Sequence, residues 1–213
     1  MDGSPDRDLA RDRVMPGGAL RPVPDRVVAL RHGATEWSRS GRHTGRSDPA
    51  LDEGGVAQAV ALGERLSVLG PVAVYSSPLA RATETCRLAG LGTEAVLDDD
   101  LLEWDYGDYE GLTTPEIRLR HPGWQLFDDG CPRGEGPGDV SARADRFLAR
   151  VRAETDAPGA TVAVFSHGHF LRVLTARWLG LGAGLGRHFV LDAGRAGVLG
   201  WERETPAVLG WNL

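Results

Sequence analysis

The 213-residue chain contains no lysine: all 24 of its basic side chains are arginine, set against 30 acidic ones for a net charge of −6. That absence excludes Schiff-base catalysis, a P-loop lysine and any lysine clamp on phosphate, so a phosphate group would have to be held by arginine or by backbone amides. Isoleucine is reduced to Ile117, alanine and glycine abound, and a GC-rich coding sequence is the simplest source of the bias. The arginine total therefore carries no functional meaning by itself. Cysteine is limited to Cys86 and Cys131, too few and too widely spaced for a disulfide framework or a zinc knuckle. No apolar run approaches the roughly 20 residues that span a bilayer, and the expected location is cytoplasmic. A net negative chain also lacks the broad basic footprint that nucleic acid or an anionic membrane would require, so any positive site must be local and suited to a small molecule.

What is present is an ordinary globular composition, with 41% hydrophobic and 25% charged residues, at a length that suits one domain. Residues 1–25 are rich in Asp, Arg, Pro and Gly without periodicity and read as a disordered tail; the folded domain is expected over 26–213. Val27 to Leu30 reads as a buried strand that ends at Arg31-His32-Gly33, followed by polar loop to about Asp52. Val56, Val60, Gly63 and Leu66 lie on one helical stripe that stops near Gly70-Pro71. Val72 to Tyr75 reads as a strand, Leu79 to Ala89 as a helix entered through Pro78, and Glu94 to Leu97 as a strand.

The segment from Asp98 to Gly138 is broken by glycine and proline and is expected to be an extended insertion with one short helix near Pro115–Arg120, a candidate lid. Ala144, Phe147, Leu148 and Val151 mark an amphipathic helix, Thr161 to Phe165 a strand ending at Ser166-His167-Gly168-His169, and Phe170 to Leu179 a further helix. Strand-like runs follow at His188–Leu191, Ala196–Trp201 and Ala207–Leu209. The alternation implies an α/β fold: a three-layer sandwich with a mostly parallel central sheet, helices on both faces and an insertion over the active site.

In such sheets ligands bind beyond the carboxyl ends of the strands. Three predicted strand ends carry Arg31 and His32, Ser77 with Arg81 just inside a helix, and His167. Two arginines and two histidines would converge there. A guanidinium fork matches phosphate oxygens and stays charged, and a neutral imidazole can attack phosphorus and later release the phosphoryl group. Any one of these residues alone is more often a solvated charge or a satisfied core histidine; their joint placement at strand ends is the signal.

Four blocks carry a resemblance: Leu30-Arg31-His32-Gly33-Ala34-Thr35-Glu36-Trp37, Ser76 to Thr85, Glu103 to Gly111, and Ser166-His167-Gly168-His169. In this order they resemble the histidine phosphatase (phosphoglycerate mutase-like) superfamily from about Val27 to the end. The resemblance implies that His32 is the nucleophile, that Arg31, Arg81 and His167 hold the phosphate oxygens, and that Glu103 protonates the leaving group and then activates water, with Asp105 and Glu110 as rival acids. It further implies substrate contacts from Ser38, Thr44, Gly45, Ser77, Tyr106, His169 and Arg172, and no metal or cofactor.

Mutases of the superfamily carry a lysine where this chain has Thr114, and an arginine pair in the insertion that is missing here, so transfer to water is favoured over transfer back to substrate. Thr35-Glu36-Trp37-Ser38, the Tyr106 to Thr114 run, Asp129-Gly130-Cys131 and His167 to Arg172 are similar to fungal sedoheptulose-1,7-bisphosphatase, which implies a small sugar phosphate or bisphosphate. Arg172, or Arg203 in the late strand region, would then meet a distal phosphate. Two positions depart from that branch: His43 replaces a tyrosine, and Glu202-Arg203-Glu204 replaces a histidine pair. A mutase-type phosphotransferase, a metallohydrolase built on His167 and His169, and a non-catalytic phosphate-binding module are the competing readings. A homo-oligomer through the late strands and Trp201 or Trp211 is compatible with the sequence.

Overall fold

The computed structural model describes residues 24–213 except 156 and 158; the tail assigned to 1–25 lies outside the described residues up to position 23. Its last two positions belong to the folded part, because Pro24 is buried and its carbonyl accepts a hydrogen bond from Trp201 Nε1 at 3.0 Å.

Six strands form one sheet: β1 (Arg26–Arg31), β2 (Ala73–Ser76), β3 (Ala95–Leu97), β4 (Thr161–Ser166), β5 (Ala196–Glu202) and β6 (Thr205–Gly210), in the order β3-β2-β4-β1-β5-β6. The first four strands in that order are parallel, and β5 and β6 run antiparallel. Helices cover both faces: α1 (Glu36–Ser40), α2 (Glu53–Leu69), α3 (Ala80–Leu88), α4 (Thr114–Arg120), α5 (Leu126–Asp129), α6 (Pro137–Glu154) and α7 (Gly168–Trp178). The central strands read as continuous apolar runs because both their faces are covered. Val27 and Ala29 enter one core cluster with Phe147 of α6 and Phe170 of α7. Val28 and Leu30 enter the other with Leu62 of α2 and Cys86 of α3.

Several expectations are corrected. The buried face of α2 is Gly55, Ala59, Leu62 and Leu66, while Val56 and Val60 are 39% and 48% exposed. Small residues decide this phase, since a Cβ on Gly55 would lie 2.1 Å from Ala34 O and one on Gly63 would lie 2.7 Å from Ala89 O. The run His188–Leu191 is not a strand. A 3₁₀ turn over Ala183–His188 leads into irregular chain, and β1 is already paired on both sides. The 98–138 insertion holds more structure than one helix: α4, α5 and 3₁₀ turns at Asp99–Leu101 and Gly107–Tyr109. Leu101, Trp104, Tyr106 and Ile117 of this segment are buried in the main core cluster, and Glu103, Tyr106 and Thr114 line a cleft. The polar stretch before Asp52 contains α1, opened by a capping box between Thr35 and Ser38 and closed by Gly41.

Candidate active site

The C-terminal ends of β1, β2 and β4 bring the three predicted strand-end groups together, as parallel pairing of Leu30 with Phe165 and Ser76 with Phe165 requires. His32 follows β1 directly. Its Nδ1 lies 2.8 Å from Gly33 O, and since a carbonyl only accepts, Nδ1 carries the proton and Nε2 keeps its lone pair. Burial, with Arg31 and Arg81 nearby, holds the imidazole well below its usual pKa, so the ring is neutral. Gly33 is obligatory: a Cβ there would sit 2.3 Å from the carbonyl of Gly55 in α2.

His167 closes β4, with its ring centroid 5.2 Å from that of His32. Its Nε2 lies 2.8 Å from Ser77 Oγ, at the end of β2. Burial first, then the two arginines and His32, hold its pKa far down. Arg81 is 1% exposed on the first turn of α3. Its Nη atoms donate to the carbonyls of Ser47, Thr44 and Gly45 and to Asp48 Oδ1 at 2.7 to 3.1 Å. Asp48 also accepts from the amides of Ala80 and Arg81, capping a helix whose own N-cap residue, Leu79, has no side-chain acceptor. Arg31 Nη1 donates to Leu191 O at 2.6 Å. Arg31 Nε, Arg81 Nε and His167 Nδ1 are buried without a hydrogen-bond partner.

Glu103 is anchored by backbone amides. Its Oε1 accepts from Trp104 and Phe170 at 2.9 and 2.8 Å, and its Oε2 from His169 at 3.1 Å. Two of these donors are orphan amides in the first turn of α7, so the carboxylate caps the helix that His167 opens. The rival acids are committed elsewhere: Glu110 accepts from the amides of Gly45 and Ser47, and Asp105 pairs with Arg46.

A cleft of about 210 Å³ opens above these groups, lined by Arg31, His32 and Glu103 and, beyond them, by Ser38, Arg42, His43, Thr44, Tyr106, Thr114 and His169. Tyr106 Oη lies 2.6 Å from His169 Nδ1. The His43 ring lies tilted against Tyr106 at 4.8 Å and edge-on to Trp124 at 5.5 Å, and burial lowers its pKa to about 4. The wall beyond Arg31, His32 and Glu103 is therefore composed of neutral hydrogen-bonding groups, with Arg42 at its rim.

Ser77, Arg81 and His167 are buried behind the cleft rather than on its lining, and three further expected contacts fall elsewhere. The Gly45 amide is spent on Glu110, and glycine is required because a Cβ would sit 2.7 Å from Trp104 O. Arg172 turns its guanidinium to the carbonyls of Gly186 and Arg187 and over the ring of Phe127, and it does not line the cleft. Arg203 lies in the β5–β6 turn; β5 runs antiparallel to β1 with Leu199 level with Val27, which puts Arg203 beyond the opposite end of the sheet. Sequence reading missed Asp48, Arg42, Glu135 and Arg143, and treated His43 only as a departure. Glu135 and Arg143 are eight residues apart, but the backbone groups that they and Arg42 hold, and the Arg81 that Asp48 holds, lie roughly 30 to 70 residues away and leave no local signal.

Known proteins share this arrangement. The profile of the histidine phosphatase superfamily (branch 1) matches residues 27–213. An acid phosphatase of Mycobacterium tuberculosis is 40% identical over 190 residues, covering 87% of this chain and 92% of that protein. The sedoheptulose 1,7-bisphosphatase of Saccharomyces cerevisiae is 37% identical over 185 residues, covering 74% and 68%. A solved structure of a Mycobacterium tuberculosis open reading frame superposes with a TM-score of 0.84 at 38% identity, covering 88% of this chain and 97% of that one. With the profile match running the length of the fold, the chain is a phosphoric monoester hydrolase that belongs to branch 1 of the histidine phosphatase superfamily.

Proposed function

We propose that the enzyme hydrolyses small sugar phosphates or sugar bisphosphates through a phosphohistidine on His32, with no metal in the reaction path. The observation that carries this reading is the neutral, Nδ1-protonated imidazole of His32 beside the guanidinium groups of half-buried Arg31 and buried Arg81. Buried donors without partners call for an explanation. The Nε atoms of Arg31 and Arg81 and the Nδ1 of His167 would be satisfied by the oxygens of a phosphoryl group. For His167 this follows if Ser77 Oγ, which accepts from Leu79 N at 3.4 Å, donates its proton to Nε2 and leaves Nδ1–H as the donor.

In the first step His32 Nε2 forms a bond to phosphorus and the P–O ester bond breaks. Glu103 delivers a proton to the departing alkoxide from Oε2, the oxygen that accepts one amide rather than two. In the second step Glu103 takes a proton from water, which attacks phosphorus as the P–N bond breaks, releasing inorganic phosphate and restoring neutral His32. Arg31, Arg81 and His167 balance the charge on the equatorial oxygens in both steps.

The neutral wall of His43, Tyr106, Thr114 and His169 suits a hydroxyl-bearing carbon chain, and a cleft of about 210 Å³ suits a small one. The relatives named for acid phosphatase and sedoheptulose 1,7-bisphosphatase activity support that class. Thr114 stands on the cleft wall where the resemblance places the lysine of mutases, which favours water as acceptor. The test is phosphate released, in EDTA, from six- and seven-carbon sugar bisphosphates, their monophosphates and 3-phosphoglycerate. Release from sugar esters that is lost in His32→Ala is the expected result. Isomerised product in place of free phosphate, or full turnover by the variant, would overturn the reading.

A further inference from the structure

Glu103 sits on irregular chain between a 3₁₀ turn and the Trp104-Asp105 segment, yet its carboxyl must be held closely for proton transfer to a leaving oxygen. Two residues outside the cleft hold that chain. Arg143, on α6, is almost fully buried and directs both Nη groups at it: Nη1 to Asp100 O at 2.7 Å and Leu102 O at 3.0 Å, and Nη2 to Glu103 O at 3.4 Å. Its Nε and Nη2 also form a bidentate pair with Glu135 at 2.7 and 2.9 Å. Glu135 binds the other side of the same segment, with Oε2 accepting from Asp105 N at 2.9 Å, its carbonyl from Trp104 Nε1 at 2.8 Å, and its amide donating to Asp105 O at 2.9 Å. Arg143 also lies over the ring of Phe170, 5.0 Å from its centroid, and the Phe170 amide is one of the three donors to Glu103.

We infer that Arg143 and Glu135 form a clamp that fixes the Glu103 carboxyl for proton transfer, with Arg143 a positioning residue for that step. The inference rests on the reading of Glu103 as the proton donor. A buried ion pair gives little net stability over an apolar replacement, whereas this one collects the backbone on both sides of a single carboxylate. Only a planar fork can serve Glu135 and three carbonyls together, so lysine would not replace it.

The readout is the dependence of kcat/KM on the leaving group, because kcat/KM covers steps only up to release of the alcohol. An alkyl phosphate needs its leaving oxygen protonated, and p-nitrophenyl phosphate does not. For Arg143→Gln and for Glu135→Gln, the ratio of alkyl to nitrophenyl kcat/KM should fall by about tenfold or more, as expected when general-acid assistance is impaired. Glu103→Gln should lower the same ratio further, and adding Arg143→Gln to it should change the ratio little, since residues acting through one group are not additive. Glu135→Gln perturbs the clamp from its other end and serves if the Arg143 variant fails to fold, with thermal unfolding confirming the fold of each. A loss of both substrates in equal proportion, or full additivity with Glu103→Gln, would overturn the clamp. If Glu103→Gln leaves the ratio unchanged while His32→Ala abolishes turnover, the proton-donor role is what fails, and the clamp falls with it.

Discussion

At the scale of single residues, the proposed site places one neutral imidazole next to permanent positive charge. Burial and the two guanidinium groups hold His32 below its usual pKa, so the neutral form that the proposed mechanism requires is present at pH 6.5 and below. The acid limb of kcat/KM, which reports the free enzyme, should therefore fall below pH 6.5 once the substrate's own ionisation is allowed for. Arg81→Gln should move that limb upward, because one of the charges that disfavours imidazolium is gone. A limb that stays in place would show that Arg81 does not act on His32. Asp48 has a double task, holding Arg81 and capping α3. Asp48→Ala should cost about 1 kcal/mol in urea unfolding, as for a lost cap, and also lower kcat/KM.

At the scale of elements, close backbone approach sets the geometry of the insertion. A Cβ on Gly134 would lie 2.2 Å from Asp105 O, whereas one on Gly138, in the first turn of α6, meets nothing within 4 Å. Gly134→Ala should destabilise by about 2 kcal/mol or more and lower activity through the Glu103 segment; Gly138→Ala should be neutral or stabilising by up to about 1 kcal/mol. Urea midpoints for the pair check both. The same crowding explains what the sequence could show. The four apolar central strands and the helices between them were legible because their periodicity is local. So was the placement of His32, Arg81 and His167 at or near strand ends, in blocks that resemble a family. The face of α2 was not, because tight contact selects Gly55, Ala59 and Gly63 while hydropathy selects Val56 and Val60. The direction of Arg172 and the roles of Arg143 and Glu135 depend on carbonyls brought near by the fold, and a sequence pattern carries no record of where a carbonyl points.

At the scale of the whole molecule, the fold gathers buried and half-buried imidazoles beyond the carboxyl ends of the central strands, and stability inherits their titration. His43, with its pKa lowered to about 4, is neutral when folded and protonates near 6.5 when unfolded. Its contribution is complete above pH 6.5 and is lost as pH falls toward 4, with His32, His167 and His169 acting in the same direction. Stability from urea unfolding should therefore decline between pH 6.5 and 4. His43→Gln should flatten that decline by up to about 3 kcal/mol, the equivalent of the His43 shift. A profile that is flat over this window would contradict the burial of these rings.

The central claim is that phosphate passes through His32. Rapid acid-free quenching of the enzyme with a turning-over sugar phosphate, followed by peptide mass analysis, tests it most directly. One phosphoryl group on the His32 peptide, labile to acid, formed within a single turnover and missing in His32→Ala, is the predicted result. Turnover with no phosphorylated peptide, or the label on another residue, would contradict the mechanism.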